Sequence, residues 1–420
     1  MAGLTAGRAL AQHGMRVLVV EARDRVGGRI LTRQVQGEPI ELGAQFVHGK
    51  PASLWSLIQE SGVATYELKG KEFCWRDHSL RECGPDADET MQWMERLKDW
   101  HGPDCSFAEY LERASVPEAS RGALIGYVEG FNAADHHVIG VASLARQQLA
   151  EDATEGDRLF CIQGGYSQLP EFLAAKFAEA GGMIVLHTFV ERIEWKRGSV
   201  ELQCRTGTHS KTFHAPKVIV ALPLGVLQSG TVGFSPVPGE MQRAMQKIRM
   251  GHVRRMVLLF RERFWERVMN ENGKQAFREL SFAHGVPGIF PAWWTQFPQP
   301  SRSLTAWAGG PAADAISGFG AAELEDHALQ ALGKLFRQDS LAVRGLLQSA
   351  ESHDWQRDPF SFGAYSYLAV NGVSAPGRMA EPVDSTLFFA GEHTGTEGNW
   401  GTVHAAIESG TRAAGQLLLA

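Results

Sequence analysis

The chain has 420 residues, 44% of them hydrophobic and 21% charged, with a formal net charge of -6. That length exceeds one ordinary core and points to two domains, in a composition typical of globular proteins. The lack of basic excess argues against nucleic acid as a main partner, and no apolar run reaches the roughly 18 residues that span a membrane. Taken in chain order, residues 2–13 read as a helix and 16–21 as a buried strand, with a strand-like run at 40–42. From 51 to 154 the pattern reads as helical. Ser53 stands as a capping residue there, and Met91, Met94 and Leu97 recur every three residues beside Trp93. The acidic residues of that second helix read as a solvated face. A helix over 167–180, closed by Gly181-Gly182, leads into a strand at 183–186. Alternation over 199–204 predicts a hairpin partner. Residues 255–260 and 303–307 read as strands of a second sheet, and 321–336 and 340–348 as helices. Trp293, Trp294 and Trp307 read mainly as packing residues.

The five cysteines, Cys74, Cys83, Cys105, Cys161 and Cys204, form no C-x-x-C. Neither a metal site nor a redox pair is expected from that spacing. An odd, scattered set fits a reducing compartment, so a cytoplasmic location is the expectation.

The first 29 residues carry the strongest signal. Residues 16–21 end in Glu21, an acid placed to hold ribose hydroxyls in a βαβ dinucleotide fold. Glu21 follows Gly3 by 18 residues, near the expected spacing of about 20. Gly3 then stands as the third glycine of a G-x-G-x-x-G fingerprint. Its first strand and first two glycines are expected upstream of Met1. Ala22 and Arg23 follow Glu21, and then Gly27-Gly28-Arg29. Adjacent glycines let the backbone approach a diphosphate, and the two arginines offer cationic donors.

The run from Glu21 to Arg29 resembles the flavin-containing amine oxidase family, which includes monoamine oxidases, polyamine oxidases and lysine-specific histone demethylases. Further blocks resemble it in order: Leu42-Gly43-Ala44-Gln45, 163–170, 190–193, 218–227, 355–367, 387–394 and 401–410. The resemblance implies an α/β fold: an FAD-binding doubly wound, Rossmann-like domain with a discontinuous α+β substrate domain. The FAD domain is expected at 1–50, 155–232 and 351–420, and the substrate domain at 51–154 and 233–350. FAD contacts are expected from Gly3, Glu21, Ala22, Arg23, Gly28, Arg29, Gly43, Ala44, Gln45, Val190, Trp355, Gly391, Glu392, Thr402, Val403 and Ala406. Backbone N–H groups where the last helix begins suit the electron-rich edge of a flavin.

For chemistry the resemblance points to Tyr365, one wall of an aromatic cage whose other wall is replaced by Thr402. It also points to His48, which could orient an amine. Arg255 stands where the family usually has a lysine implicated in the reaction with oxygen. Arginine keeps the charge but cannot deprotonate. Ala364 stands where monoamine oxidases carry the flavin-linking cysteine, so non-covalent FAD is expected. The implied activity is oxidation of a primary or secondary amine, polyamines included, with oxygen reduced to hydrogen peroxide. A small-molecule amine and oxygen are the expected partners, with no nucleic acid, membrane or metal. Oligomeric state is not legible. Rival readings are an amino-acid oxidase or desaturase, and, in another class, a non-catalytic flavoprotein or inactive fragment.

Overall fold

A computed structural model describes residues 1–269 and 275–420, with the side chains of 86–89 set aside. The first helix, Ala2–Gln12, buries Leu4, Ala6, Gly7 and Leu10. It leads to the strand Leu18–Val20, which pairs in parallel with Met183–Val185. A second parallel pair joins Val218–Val220 to Leu387–Phe389. Helix Ala2–Gln12 packs against one strand of each pair. No ladder joins the two pairs among the described residues, and residues 16–20 and 217–222 both face one large cavity.

The largest sheet has seven strands, in the order Leu347–Ser352, Val253–Phe260, Ser303–Gly309, Ala292–Trp294, Leu280–His284, Lys71–Arg76 and Ser79–Glu82. All neighbours are antiparallel except Leu280–His284 beside Lys71–Arg76. Helix Ala321–Leu335 covers one face. There Leu324, Leu329 and Leu332 meet Phe260, Phe264, Trp293 and Phe336. Each such side chain contributes roughly 1.5–3 kcal/mol when fully buried. Trp293 packs into this core, as read from the sequence, whereas Trp294 and Trp307 reach the cavity.

The expectation of a wholly helical 51–154 fails in its first third. Thr65–Glu67, Lys71–Arg76 and Ser79–Glu82 are strands. Asp77 and His78 both take positive φ, of 47 and 58°, and so form a tight two-residue hairpin turn. Pairing with a strand two hundred residues away then overrides local periodicity. The same hairpin brings Cys74 and Cys83 to a Cα separation of 5.1 Å in a disulfide, at odds with the reducing compartment expected from the scattered cysteines. Two strands facing each other accomplish what a C-x-x-C spacing search cannot detect. Cys105, Cys161 and Cys204 are free and buried.

Ser53 does not cap its helix. Ala52–Ser61 begins after Pro51, and the Ser53 hydroxyl donates instead to Glu408 Oε1 at 2.8 Å. Of the acidic residues expected on a solvated face, Glu89 lies outside the described side chains and Glu95 is exposed. Residues 340–348 divide into helix Ser340–Leu346 and the start of strand Leu347–Ser352. The remaining predicted elements form within a few residues of their expected bounds. No helix among the described residues is long and apolar enough to cross a membrane.

Candidate functional site

The parallel strands, the first and last helices and one face of the large sheet enclose a cavity of about 1210 Å³. An ordinary small-molecule site occupies roughly 300–1,000 Å³. Every residue expected to hold cofactor or carry chemistry lines this cavity, from Gly3 to Ala406.

Its polar floor is built from residues tied to one another. Glu21 directly follows strand Leu18–Val20, and its Oε1 accepts from the Arg23 backbone N–H at 2.9 Å. Arg23 was expected to offer its fork to a diphosphate. The structure corrects this. Its Nη1 and Nη2 bond Asp358 at 2.8 and 2.9 Å, and Nη2 also bonds Ser361. Burial pushes the Asp358 carboxyl up, but its hydrogen bonds with the His353 ring, with Arg23 and with the Phe360 N–H outweigh it and hold the group well below its ordinary range. Arg23 thus pins the 355–361 segment, and Trp355, beside it, donates to Leu42 O at 2.7 Å.

Arg29 is also engaged. Its Nη1 donates to Ala364 O at 2.7 Å and to Glu392 Oε1 at 2.8 Å. Glu392 is buried, and its other oxygen accepts from Ser366 and from the Gly401 N–H at 3.0 Å. Burial pushes its carboxyl up, but Arg29 and the hydrogen bonds outweigh it and hold the group below its ordinary value. Glu392 therefore ties together the loop after strand Leu18–Val20, residues 364–366 and the turn before the last helix.

Thr402 caps that helix, Val403–Leu419. Its hydroxyl accepts from Ala405 N and donates to Asn399 O. Its side chain is thus spent on the cap, so the backbone at the helix start is what it offers to a ligand. Gly43 brings two backbones together: a Cβ there would lie 1.9 Å from Arg29 O. Gly28, at φ 61°, has open space where a Cβ would stand. The polar floor has the parts a dinucleotide needs: a strand-end acid, a helix start and a bare glycine turn.

The other wall is aromatic. Tyr365 opens strand Tyr365–Leu368, and its hydroxyl donates to Phe131 O at 2.7 Å. It stands against Gly401, where a Cβ would lie 3.4 Å from the ring. His48 meets Phe131 edge-on at 5.5 Å, and Tyr127 stacks on Phe131 at 5.4 Å. Phe46, Phe282, Trp294 and Trp307 continue the wall, with ring centroids 5.5–6.0 Å apart. Burial pushes His48 and His404 down to about 4, so both rings are uncharged at neutral pH. Glu151, pushed up by burial, lines the edge beyond Tyr127.

Sequence reasoning did not single out Phe46, Tyr127, Phe131, Phe282, His404 or Glu151 as site residues. Phe46 and His404 stand beside or within family-like blocks, whereas Tyr127, Phe131, Phe282 and Glu151 carry no local signal, because strands and helices distant along the chain bring them together. The group Glu129, Asp135 and His136, close enough to hold a metal ion, lies outside the cavity. The His136 Nδ1 there is already bonded to Glu129 at 2.6 Å.

Comparison with known proteins agrees with this geometry. The sequence model of a family described as flavin containing amine oxidoreductase matches residues 1–418. Lysine-specific histone demethylase 1 homolog 1 of Arabidopsis thaliana is 26% identical over 457 residues, covering 100% of this chain and 51% of its own length. Polyamine oxidase 2 of the same plant is 27% identical over 451 residues, covering 98% of this chain and 85% of its own. The chain thus spans about half the length of the curated demethylase relatives it matches. A structure of putrescine oxidase bound to putrescine superposes with a TM-score of 0.83 at 19% identity, covering 100% of this chain and 97% of that one. At that identity the likeness speaks for the fold.

Proposed function

The chain belongs to the flavin-containing amine oxidoreductase family, and we propose from that premise that it oxidises a primary or secondary amine to an imine with FAD. The observation that carries this reading is one continuous cavity with a polar dinucleotide floor and an aromatic, water-excluding wall. Bound FAD would accept the hydride, the hard part of the chemistry. The protein's work is to hold the amine carbon in place and keep water out. Glu21, Gly28, Gly43 and the start of helix Val403–Leu419 would hold the cofactor. Val190, Ala406 and Trp355 would border it. Arg29 and Glu392 would fix the shape of the floor, and Arg23 would do so through Asp358.

Tyr365, His48 and the Phe46–Trp294 pair would position the amine. Uncharged His48 and His404 put no positive charge beside it, which favours entry of a neutral amine. The imine then hydrolyses, and oxygen takes the electrons to give hydrogen peroxide. Polyamines are candidate substrates, since polyamine oxidases are among the relatives. We assign the cofactor domain to 1–50, 155–232 and 351–420, and the substrate domain to the remainder. The cytoplasmic placement expected from the cysteines is weakened by the Cys74–Cys83 disulfide, and thiol titration of protein isolated from its cell decides it.

The test is spectral titration with FAD followed by a panel of amines read by peroxide release. A flavin spectrum with peroxide from at least one amine supports the proposal. A protein that takes up no FAD, or binds it and oxidises no amine, overturns it. With alanine at 364, acid precipitation is expected to leave the yellow chromophore in the supernatant, and a pellet that stays yellow contradicts non-covalent binding.

A further inference from the structure

Arg255 sits in the middle of strand Val253–Phe260, every residue of which is buried. It is 5% exposed and lines the cavity. Its Nη1 donates to Gly43 O at 2.9 Å and its Nη2 to Gln45 Oε1. Its guanidinium lies over the Trp294 ring, 5.3 Å from the centroid, and Trp307 is its cross-strand neighbour. Its Nε is buried and has no hydrogen-bond partner among the described residues.

Neighbouring arginines differ. Half-buried Arg23 and Arg29, which also line the cavity, have Asp358 and Glu392, while buried Arg254, just before Arg255 on the strand and off the cavity lining, has Asp354 at 2.7 Å. Among the described residues no carboxylate makes an ion pair with Arg255. Glu41, the acid nearest in electrostatic effect, spends its oxygens on Tyr166 N and Thr32 Oγ1, and burial pushes it up to about 7. A buried cation paired only with neutral oxygens is costly, and an anion in contact with it recovers that cost.

We infer that Arg255 is an anion-holding residue and that the cavity beside Gly43, Gln45 and Trp294 accepts a small carboxylate carried on an apolar or aromatic body. The guanidinium fork matches a carboxylate, and Nη1 and Nη2 each keep a second N–H beyond those given to Gly43 O and Gln45 Oε1. Phe46, Phe282, Trp294 and Trp307 supply the apolar surround. Taken with the amine oxidation proposed above, on which this step rests, the preferred substrate bears a carboxylate as well as its amine. The anion site itself stands on the geometry of Arg255.

Benzoate is the probe, with benzamide as its neutral isostere. Binding to the FAD-loaded protein is read by the flavin absorbance change and by the shift in melting temperature. The thermal reading runs equally on protein that takes up no flavin, so failure of the flavin proposal and failure of this one are separable. Benzoate is expected to bind and benzamide to bind at least tenfold more weakly. Arg255→Gln, which can keep the hydrogen bond to Gln45, is expected to lose at least tenfold for benzoate, and Arg255→Lys to lose less. Equal binding of benzoate and benzamide, or full benzoate affinity in Arg255→Gln, overturns the assignment. A flavin midpoint potential that falls in Arg255→Gln while benzoate affinity stays unchanged also overturns it, and places the negative charge on the reduced cofactor instead.

Discussion

The two sides of the cavity are built by opposite rules. On the polar floor almost every charged donor is answered by a neighbouring acceptor: Arg23 by Asp358, Arg29 by Glu392, and Glu392 in turn by Ser366 and Gly401. On the aromatic wall the rings are hydrocarbon surface, His48 and His404 are held uncharged, and Arg255 is a cation with no carboxylate partner among the described residues. The floor is a fixed shape that a ligand meets through backbone and a few acids. The wall is an aromatic chamber in which one buried charge, Arg255, is met by neutral oxygens.

The comparison breaks first at Glu392. Removing it strands Arg29 and two further donors, so Glu392→Ala is expected to cost about 3–5 kcal/mol of stability, the range for breaking a buried ion pair. Denaturant unfolding measures it, and a loss below about 1 kcal/mol would mean the floor is not held by this pair. Glu21→Ala tests the floor's contact with ligand rather than its shape. FAD affinity is expected to fall by roughly 1–3 kcal/mol with little change in folding, and unchanged affinity removes Glu21 from the site.

Much of the floor was legible in the sequence because its parts are local. A strand-end acid, adjacent glycines and a helix start lie within short runs, and backbone chemistry dictates their spacing. What the sequence could not tell was how they are used. Arg23 looks like a diphosphate ligand until Asp358, 335 residues later, is found in its fork. The wall was barely legible. Phe46, Phe131, Phe282 and Trp294 come from four separate elements, and nothing local separates a cavity ring from a core ring. Trp293 and Trp294 show the difficulty, since strand alternation alone sends one inward and the other to the cavity. The Lys71–Arg76 strand was missed for a related reason: one of its partners, Leu280–His284, lies far along the chain, and Ser79–Glu82 follows it as the other arm of a hairpin.

On the wall, Arg255→Lys is expected to speed reoxidation of the reduced protein by oxygen about tenfold, or 1.4 kcal/mol in barrier, by restoring the family's usual residue. Stopped-flow mixing with oxygen reads it, and equal rates would leave the substitution without consequence for that step. A smaller effect lies in the pH dependence of stability. His48, His393 and His404 are each depressed from 6.5 to about 4, so the unfolded chain binds more protons in that window. Their contribution is full above pH 6.5 and is lost as pH falls toward 4. Glu41, raised from 4.5 to about 7, acts in the opposite sense, since its contribution is present at low pH and lost as pH rises through 7. Three histidines outweigh one carboxyl, so stability should decline on acidification from pH 6.5 to 4.5. His48→Phe should lower that slope by about one proton, and Glu41→Gln should steepen it by about one.

Anaerobic mixing of the FAD-loaded protein with an amine panel tests the central claim most directly. The floor-and-wall account predicts that at least one amine bleaches the visible flavin band without oxygen, and that admitting oxygen restores it with release of peroxide. A protein that binds FAD tightly yet keeps its full visible absorbance with every amine offered would contradict the account.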